Sequence, residues 1–168
     1  MNILFLHGLE SPLSDDKRVV LQRFGTVLAP DINYRANAET IQQLYSDYRD
    51  AQIDMIIGSS MGGFAGYYLS IMLDVPALLF NPALPYRSVE QQIPVSHSTI
   101  TKRIEMMLGA QDTVIAASDT KAFITENIKS PLVNVTERPD LGHRIPLRIF
   151  EQEVTRFTNF LKRHHLSS

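Results

Sequence analysis

The chain is 168 residues long, a length that suits one domain with its own hydrophobic core. Apolar residues make up 44% and charged residues 20%, which excludes a disordered chain, a collagen-like repeat and a coiled coil. Lys and Arg total 16 and Asp and Glu total 18, so the net charge of −2 offers no basic excess for binding a nucleic-acid backbone.

Short apolar runs alternate with segments of helical period along the chain. The runs are mostly continuous, as in strands of a sheet that is covered on both faces. The repeated order of strand, loop and helix predicts a three-layer α/β/α fold around a mostly parallel sheet of about six strands. The predicted strands are Ile3–Leu6, Val27–Ala29, Ile53–Ile57, Ala77–Phe80, Ile104–Leu108 and Leu132–Val135.

Helices are predicted between these strands and after the last of them. Asp15 or Asp16 is a candidate N-cap for a first helix that stops at Gly25, and Ser118 is a candidate cap further along. Two segments carry apolar residues on one helix face. They contain Ile41, Leu44, Tyr45 and Tyr48, and Phe150, Val154, Phe157 and Leu161.

Residues 81–100 depart from this rhythm. They hold three prolines and no clear period, so we interpret them as a short irregular excursion over the carboxyl ends of the strands, where ligands of such sheets bind. The sequence shows no internal repeat or linker. We therefore expect a single domain that covers residues 1–168.

The most informative motif is a serine in a glycine-rich turn. Gly58-Ser59-Ser60-Met61-Gly62 matches G-x-S-x-G, after a predicted strand and before a predicted helix. A nucleophile elbow needs this context, since the central serine lies on a strained turn and side chains two residues before and after it would collide. Gly58 and Gly62 avoid those collisions. The alternative is an ordinary glycine-rich turn. Two other glycine-rich motifs are excluded: no dinucleotide fingerprint is present, and a phosphate loop would need Lys where Phe64 stands.

A serine hydroxyl becomes nucleophilic when a histidine base and an orienting acid accompany it, and after a nucleophile elbow they follow in the order serine, acid, histidine. His143, in a loop after the last predicted strand, is the candidate base; the alternative is an ordinary surface histidine. His97 has no motif around it, and His164 and His165 end the last helix, where we expect them to be solvated. His7 precedes the serine, so we interpret it as a structural residue.

The candidate acid is Asp112, which follows the fifth predicted strand. Asp140, in a turn beside His143, is the second candidate, and a carboxylate that caps a loop is the alternative for either. Asp119 is interpreted as an early helical residue. Backbone N–H groups of Leu9 and Met61 are the candidates for an oxyanion hole.

Loop positions suggest which side chains contact a substrate. Arg87 and Arg144 are candidates for attracting an anionic substrate such as a coenzyme A thioester, although such arginines are more often simply solvated. Residues near the catalytic candidates would form an acyl pocket, although they are equally compatible with ordinary core or loop positions. They are Leu9, Leu84, Tyr86, Leu141 and Ile145.

Several segments together resemble the α/β-hydrolase superfamily and, more narrowly, the small bacterial YqiA/YcfP-like esterases. The resemblance covers essentially the whole chain and implies a minimal α/β-hydrolase fold that lacks the first two strands and a large cap domain. It also implies a serine esterase that hydrolyses esters or acyl thioesters through an acyl-enzyme, with Ser60, Asp112 and His143 as its triad. The segments are LeuHisGly, GlySerSerMetGlyGly, the ProAla after Asn81, GlyAlaGlnAspThrVal and GlyHis.

Two other functions remain as alternatives: a non-catalytic ligand-binding or interaction module on a hydrolase scaffold, and an acyltransferase. The esterase interpretation requires no metal or organic cofactor and predicts a small acyl ester or thioester as the binding partner. The absence of cysteine excludes a cysteine nucleophile and thiolate metal sites. Because neither a signal peptide nor a membrane-spanning run is recognisable, we expect a cytoplasmic protein.

Overall fold

The computed structural model describes residues 1–95 and 99–165. Six parallel strands form one sheet in the order β2-β1-β3-β4-β5-β6. The strands are β1 (Asn2–Leu6), β2 (Thr26–Leu28), β3 (Met55–Ser59), β4 (Ala77–Phe80), β5 (Ile104–Gly109) and β6 (Val133–Arg138). The helices are α1 (Asp15–Gln22), α2 (Thr40–Tyr48), α3 (Met61–Leu73), α4 (Ala117–Asn127) and α5 (Leu147–His165).

Helices cover both faces of the sheet, which confirms the predicted three-layer architecture. Successive strand residues point to opposite faces, so each strand contributes to two cores. Leu4 and Ile56 pack in the core under α2, α3 and α4. Ile3 and Ile57 pack in the other core, under α1 and α5. Burial on both faces explains why the strands read as continuous apolar runs.

Three predicted helix boundaries are wrong. The N-cap of α1 is Ser14 rather than an aspartate, and the N-cap of α4 is Ala116, so Ser118 lies inside that helix. Acidic and hydroxyl side chains favour the first helical turn as well as the cap, so residue type alone did not distinguish the two positions. Helix α1 also ends before Gly25, whose Cβ would overlap the Met1 carbonyl oxygen. That glycine serves close packing rather than helix termination.

The excursion contains no helix or strand in its described part, residues 81–95 and 99–100. Gln91 anchors it, because the Nε2 group donates hydrogen bonds to the carbonyl oxygens of Tyr34 at 2.8 Å and Asn37 at 3.0 Å. His97 lies outside the described residues. No helix in the described ranges is long and apolar enough to cross a membrane.

The order of the strands creates a crevice at one edge of the sheet. Strand β1 lies between β2 and β3, so the chain leaves β1 towards one side and later returns to the other. Leu6 near the end of β1 is paired with Gly58 of β3, which brings the loop after β1 beside Ser60. In parallel sheets such a switch in direction is where ligands bind.

Candidate active site

Ser60 lies on a strained turn between β3 and α3. Its φ of 54° and ψ of −115° belong to a left-handed region that non-glycine residues rarely occupy. Ser60 is also the N-cap of α3, yet its side chain makes no capping hydrogen bond. The hydroxyl is therefore not used to stabilise the helix, whereas the side-chain oxygen of an N-cap serine normally accepts a backbone N–H of the first turn.

The glycines on either side of Ser60 are required by close backbone contacts. A Cβ at Gly58 would overlap the carbonyl oxygen of Gly62, and a Cβ at Gly62 would overlap that of Leu6. These carbonyl groups belong to the backbone and cannot swing away as a flexible side chain could. The two positions thus have the steric property that the elbow interpretation assigned to them.

Asp112 and His143 are joined by a hydrogen bond. Nδ1 of His143 lies 2.7 Å from Oδ2 of Asp112, whose side chain is fully buried, whereas that of His143 is 26% exposed. Oδ1 of the same carboxylate accepts N–H groups of Val114 at 2.7 Å and Ile115 at 2.9 Å. An ionised carboxylate only accepts hydrogen bonds, so Nδ1 is the donor and Nε2 of the neutral imidazole is an acceptor.

The second candidate acid, Asp140, is engaged by a different partner. The carboxylate of Asp140 pairs with Arg138 through two hydrogen bonds of 3.0 Å each. Those bonds hold the pKa of Asp140 below its usual value. Asp119 lies in the first turn of α4. Of the three aspartates, Asp112 is the one that the structure pairs with His143.

Ser60 and His143 both line one cavity of about 670 Å³. Among the residues that the structure describes, no hydrogen bond joins the Ser60 hydroxyl to the imidazole, and none uses Nε2 of His143. Catalytic hydrogen bonds are often long before substrate binds and tighten in the complex. Ser60 and His143 therefore border the same space, and neither the hydroxyl nor Nε2 is engaged by another described residue.

Two backbone segments border this cavity next to the serine. Met61 is the first residue of α3, so its N–H has no acceptor within the helix. Leu9 lies in the loop after β1, which is closed by a bridge between Gly8 and Ser11. A Cβ at Gly8 would lie 3.5 Å from that of Ser60, which puts this loop directly beside the serine. Leu9 and Met61 both line the cavity.

His7 holds the loop that carries Leu9. Its ring is buried, its Nε2 accepts the Ile32 N–H at 2.8 Å, and its Nδ1 donates to the Gly8 carbonyl oxygen. The Tyr34 hydroxyl donates to the His7 carbonyl oxygen at 2.9 Å. Both ring nitrogens are thus occupied by backbone groups.

At the opposite end of the chain, the His164 ring packs 4.3 Å from that of Phe160.

Only part of the predicted acyl pocket lies at the cavity. Tyr86 and Ile145 line it together with Leu9. Leu84 and Leu141 are instead buried, one in each of the two cores. Both belong to loops near the site, and position along the chain did not reveal that their side chains turn inward. The Tyr86 hydroxyl donates to the Val114 carbonyl oxygen, which connects the excursion to the loop of Asp112.

Three cationic side chains line the same cavity: those of Arg87, Arg144 and Lys17. The two arginines were candidates from the sequence, whereas Lys17 was missed because it belongs to no motif and the sequence does not show which way its side chain points. Burial lowers the pKa of Lys17, which also lies 5.1 Å from the ring centre of Phe150. Glu10 is the acidic residue on the lining, and it is paired with Arg35.

Asn81, whose side chain contacts the loop of His143, was not predicted as a functional residue. In the sequence it stands out only as the residue before a ProAla segment. Within residues 1–95 and 99–165, no three His, Asp or Glu side chains converge in an arrangement that could hold a metal ion.

The fold is that of the α/β hydrolases, as three solved structures show. Alpha/beta hydrolase domain-containing protein 10 from mouse is 14% identical with a TM-score of 0.73, over 96% of this chain and 90% of that one. The α/β hydrolase MGS-MChE2, from a sediment metagenome of the Mar Chica lagoon, Morocco, is 14% identical with a TM-score of 0.73, over 98% and 92%. A monoacylglycerol lipase from Paleococcus ferrophilus is 12% identical with a TM-score of 0.72, over 95% and 94%.

The chain belongs to the family described as uncharacterised protein family UPF0227, whose model matches residues 2–107. The match contains the Ser60 elbow and ends before Asp112 and His143. The resemblance to the α/β-hydrolase superfamily and its YqiA/YcfP-like members is thereby confirmed. No curated protein matches the chain.

Proposed function

We propose that this protein is a serine hydrolase that cleaves carboxylic esters or acyl thioesters through an acyl-enzyme on Ser60. The observation that carries the proposal is the cavity shared by Ser60 and His143, with Asp112 hydrogen-bonded to the far side of the imidazole. A serine on an elbow, a neutral imidazole with a free acceptor nitrogen and a buried carboxylate are the parts of a serine nucleophile.

In the first half-reaction, Nε2 of His143 takes the hydroxyl proton as Ser60 Oγ attacks the carbonyl carbon. The negative charge that develops on the carbonyl oxygen is stabilised by the N–H groups of Leu9 and Met61. Each such donor contributes about 10²–10³ in rate. The imidazolium then gives its proton to the departing alcohol or thiol, which leaves an acyl group on the serine.

In the second half-reaction, His143 takes a proton from water, and the resulting hydroxide equivalent attacks the acyl-enzyme. The proton returns to Ser60 Oγ as the carboxylic acid leaves. Asp112 stays ionised throughout, holds the Nδ1–H tautomer and stabilises the transient imidazolium. Two backbone N–H groups hold its other oxygen, which fixes the carboxylate in the orientation that this role needs.

The experiment compares wild type, Ser60→Ala and Ser59→Ala on p-nitrophenyl esters and acyl thioesters of increasing chain length. Ser59 is a matched control, because it is the preceding serine and lines the same cavity. The proposal predicts turnover by wild type and Ser59→Ala, and loss of at least about 10³-fold in kcat for Ser60→Ala.

Equal activity of all three proteins would exclude Ser60 as the nucleophile. Absence of turnover and of an initial product burst across the whole panel would favour a non-catalytic binding module. Product analysis with added alcohols or amines separates hydrolysis from acyl transfer, because only a transferase gives mainly the new ester or amide in water.

A further inference from the structure

Asn81 occupies a buried and conformationally unusual position directly after β4. Its exposed fraction is 1% and its φ is 43°, in the left-handed region that asparagine tolerates better than most residues. A buried amide must find partners for both its oxygen and its nitrogen. In this protein, the partners of the Asn81 amide lie at the end of β5 and in the loop of His143.

The amide of Asn81 connects the loop of His143 to the end of β5. Its Nδ2 donates to the carbonyl oxygens of Gly142 and His143, both at 3.0 Å. Its Oδ1 accepts the N–H of Gly109, the last residue of β5, at 2.8 Å. The backbone N–H of Asn81 donates to the Met107 carbonyl oxygen at 2.8 Å, which ties the residue itself to the sheet.

The residues on either side of Asn81 hold the backbone of Ser60. The Ser60 N–H donates to the Phe80 carbonyl oxygen at 3.0 Å, and the Ala83 N–H donates to the Ser60 carbonyl oxygen at 3.1 Å. Residues 80–83 therefore contact the nucleophile through their backbone and the base through one side chain. A displacement of the Asn81 amide would change the position of His143 relative to Ser60.

Gly109 lets the loop of His143 approach the sheet closely enough for this contact. A Cβ at Gly109 would lie 2.6 Å from the Gly142 carbonyl oxygen, so no other residue fits there. The Gln111 N–H donates to the Leu141 carbonyl oxygen at 2.9 Å, which fixes the start of the loop. Asn81 in turn holds the carbonyl groups of Gly142 and His143.

From these contacts we propose that Asn81 is a positioning residue that sets the distance and angle between His143 and Ser60. The inference rests on the proposed function, since it assigns His143 the role of base. Asparagine fits the position because it supplies two donors and one acceptor and accepts a positive φ. Aspartate would keep the acceptor for Gly109 and lose both donors to the loop of His143.

The test compares Asn81→Asp with Gln91→Glu. Gln91 is a matched control, because it is also a buried amide that donates to two backbone carbonyl groups. Those groups belong to Tyr34 and Asn37, which are not among the described residues that line the cavity. We expect Asn81→Asp to lose about 10²-fold in kcat, as for a base misplaced by ~1 Å, with KM changed less than about threefold. Gln91→Glu should lose stability and keep kcat.

A second variant, Asn81→Gly, removes the side chain and keeps the positive φ accessible, so it should fold and show the same loss of kcat. A second readout is the downfield proton resonance of His143 Nδ1–H, which should broaden or vanish in both Asn81 variants and stay sharp in Gln91→Glu. This resonance reports the position of the imidazole even if the wild type turns over no ester.

Retention of kcat within about twofold, or a sharp Nδ1–H resonance in both Asn81 variants, would overturn the inference. So would an equal loss of kcat in Gln91→Glu, since it would trace the effect to general instability. Failure of both Asn81 variants to fold would assign the residue to the fold alone. Inactive Ser60→Ala together with fully active Asn81→Asp would leave the proposed function standing and remove only this inference.

Discussion

The carboxylate of Asp112 lies 2.7 Å from Nδ1 of His143 and is itself fixed by two backbone N–H groups of its own loop. The acid is thus fully engaged: one oxygen orients the imidazole and the other keeps the loop in shape. Such an arrangement determines which imidazole nitrogen carries the proton. It leaves Nε2 as the acceptor of an imidazole that lines the same cavity as Ser60.

Replacing Asp112 by asparagine should lower kcat for ester hydrolysis by about 10³–10⁴-fold, because an amide NH₂ facing Nδ1 favours the wrong tautomer. Asp140→Asn is the matched control: it lies beside the same histidine loop, but its partner is Arg138. Steady-state kinetics of both variants tests the assignment. A large loss in Asp140→Asn with an active Asp112→Asn would reverse the choice of acid.

Gly62→Ala should destabilise the protein by about 3 kcal/mol or more, because its methyl group would overlap a backbone carbonyl of β1. Gly142→Ala provides the comparison, since the nearest atom to its Cβ would be 3.6 Å away. Urea unfolding of the two variants measures the difference. If Gly62→Ala were as stable as Gly142→Ala, the close contact between elbow and β1 would be disproved.

The stability of the protein should depend on the ionisation of Glu105, a β5 residue whose side chain is 4% exposed. Burial alone would raise its pKa, but hydrogen bonds and charges of Arg156 and Arg103 outweigh burial and place the pKa below its ordinary value of 4.5. A group with a depressed pKa in the folded state stabilises it above the unfolded value, and this contribution disappears as the pH falls through the folded value.

Glu105→Gln should therefore lower the free energy of unfolding at neutral pH by about 1.5–3 kcal/mol, the range for hydrogen bonds to a charged group. The gap between wild type and variant should narrow progressively below pH 4.5. Urea titrations across this pH range measure it. Glu151→Gln, which removes an exposed pair with Arg23, should have little effect. A gap that is constant with pH would refute the account.

The cationic lining should favour esters that carry a negative charge. Lys17→Gln should lower kcat/KM for a carboxylate-bearing ester by roughly fivefold, which corresponds to ~1 kcal/mol of screened attraction, and should leave a neutral ester of similar size unaffected. The preference should weaken as salt is added. Lys162→Gln, an exposed lysine of α5, is the control. Equal effects on both esters would show that Lys17 acts through packing on Phe150.

The sequence was sufficient to predict the sheet and the elbow, because each leaves a local signal. It also sufficed for the order in which Ser60, Asp112 and His143 follow one another. Strands buried on both faces appear as continuous apolar runs. Gly58 and Gly62, on either side of Ser60, must lack a side chain because backbone atoms lie close to them. A helix was predicted directly after the elbow, where α3 (Met61–Leu73) lies. Asp112 and His143 were chosen because they follow the elbow in the order serine, acid, histidine.

Features that depend on side-chain direction or on contacts between distant segments were not predictable. Leu84 and Leu141 lie in loops near the site, but their side chains enter the two cores. Lys17 reaches the cavity because α1 packs beside the loop region, which no spacing in the sequence reveals. Asn81 contacts a loop 61 and 62 residues away, and the residue type alone suggests only a turn.

The central claim is that the Ser60 hydroxyl is the nucleophile, and covalent trapping tests it most directly. Wild-type protein would be treated with a fluorophosphonate, weighed intact by mass spectrometry, then digested and mapped. The account predicts one adduct per chain, which maps to Ser60 after digestion, and no adduct in Ser60→Ala. An adduct on Ser59 or another residue, or unchanged labelling of Ser60→Ala, would contradict it.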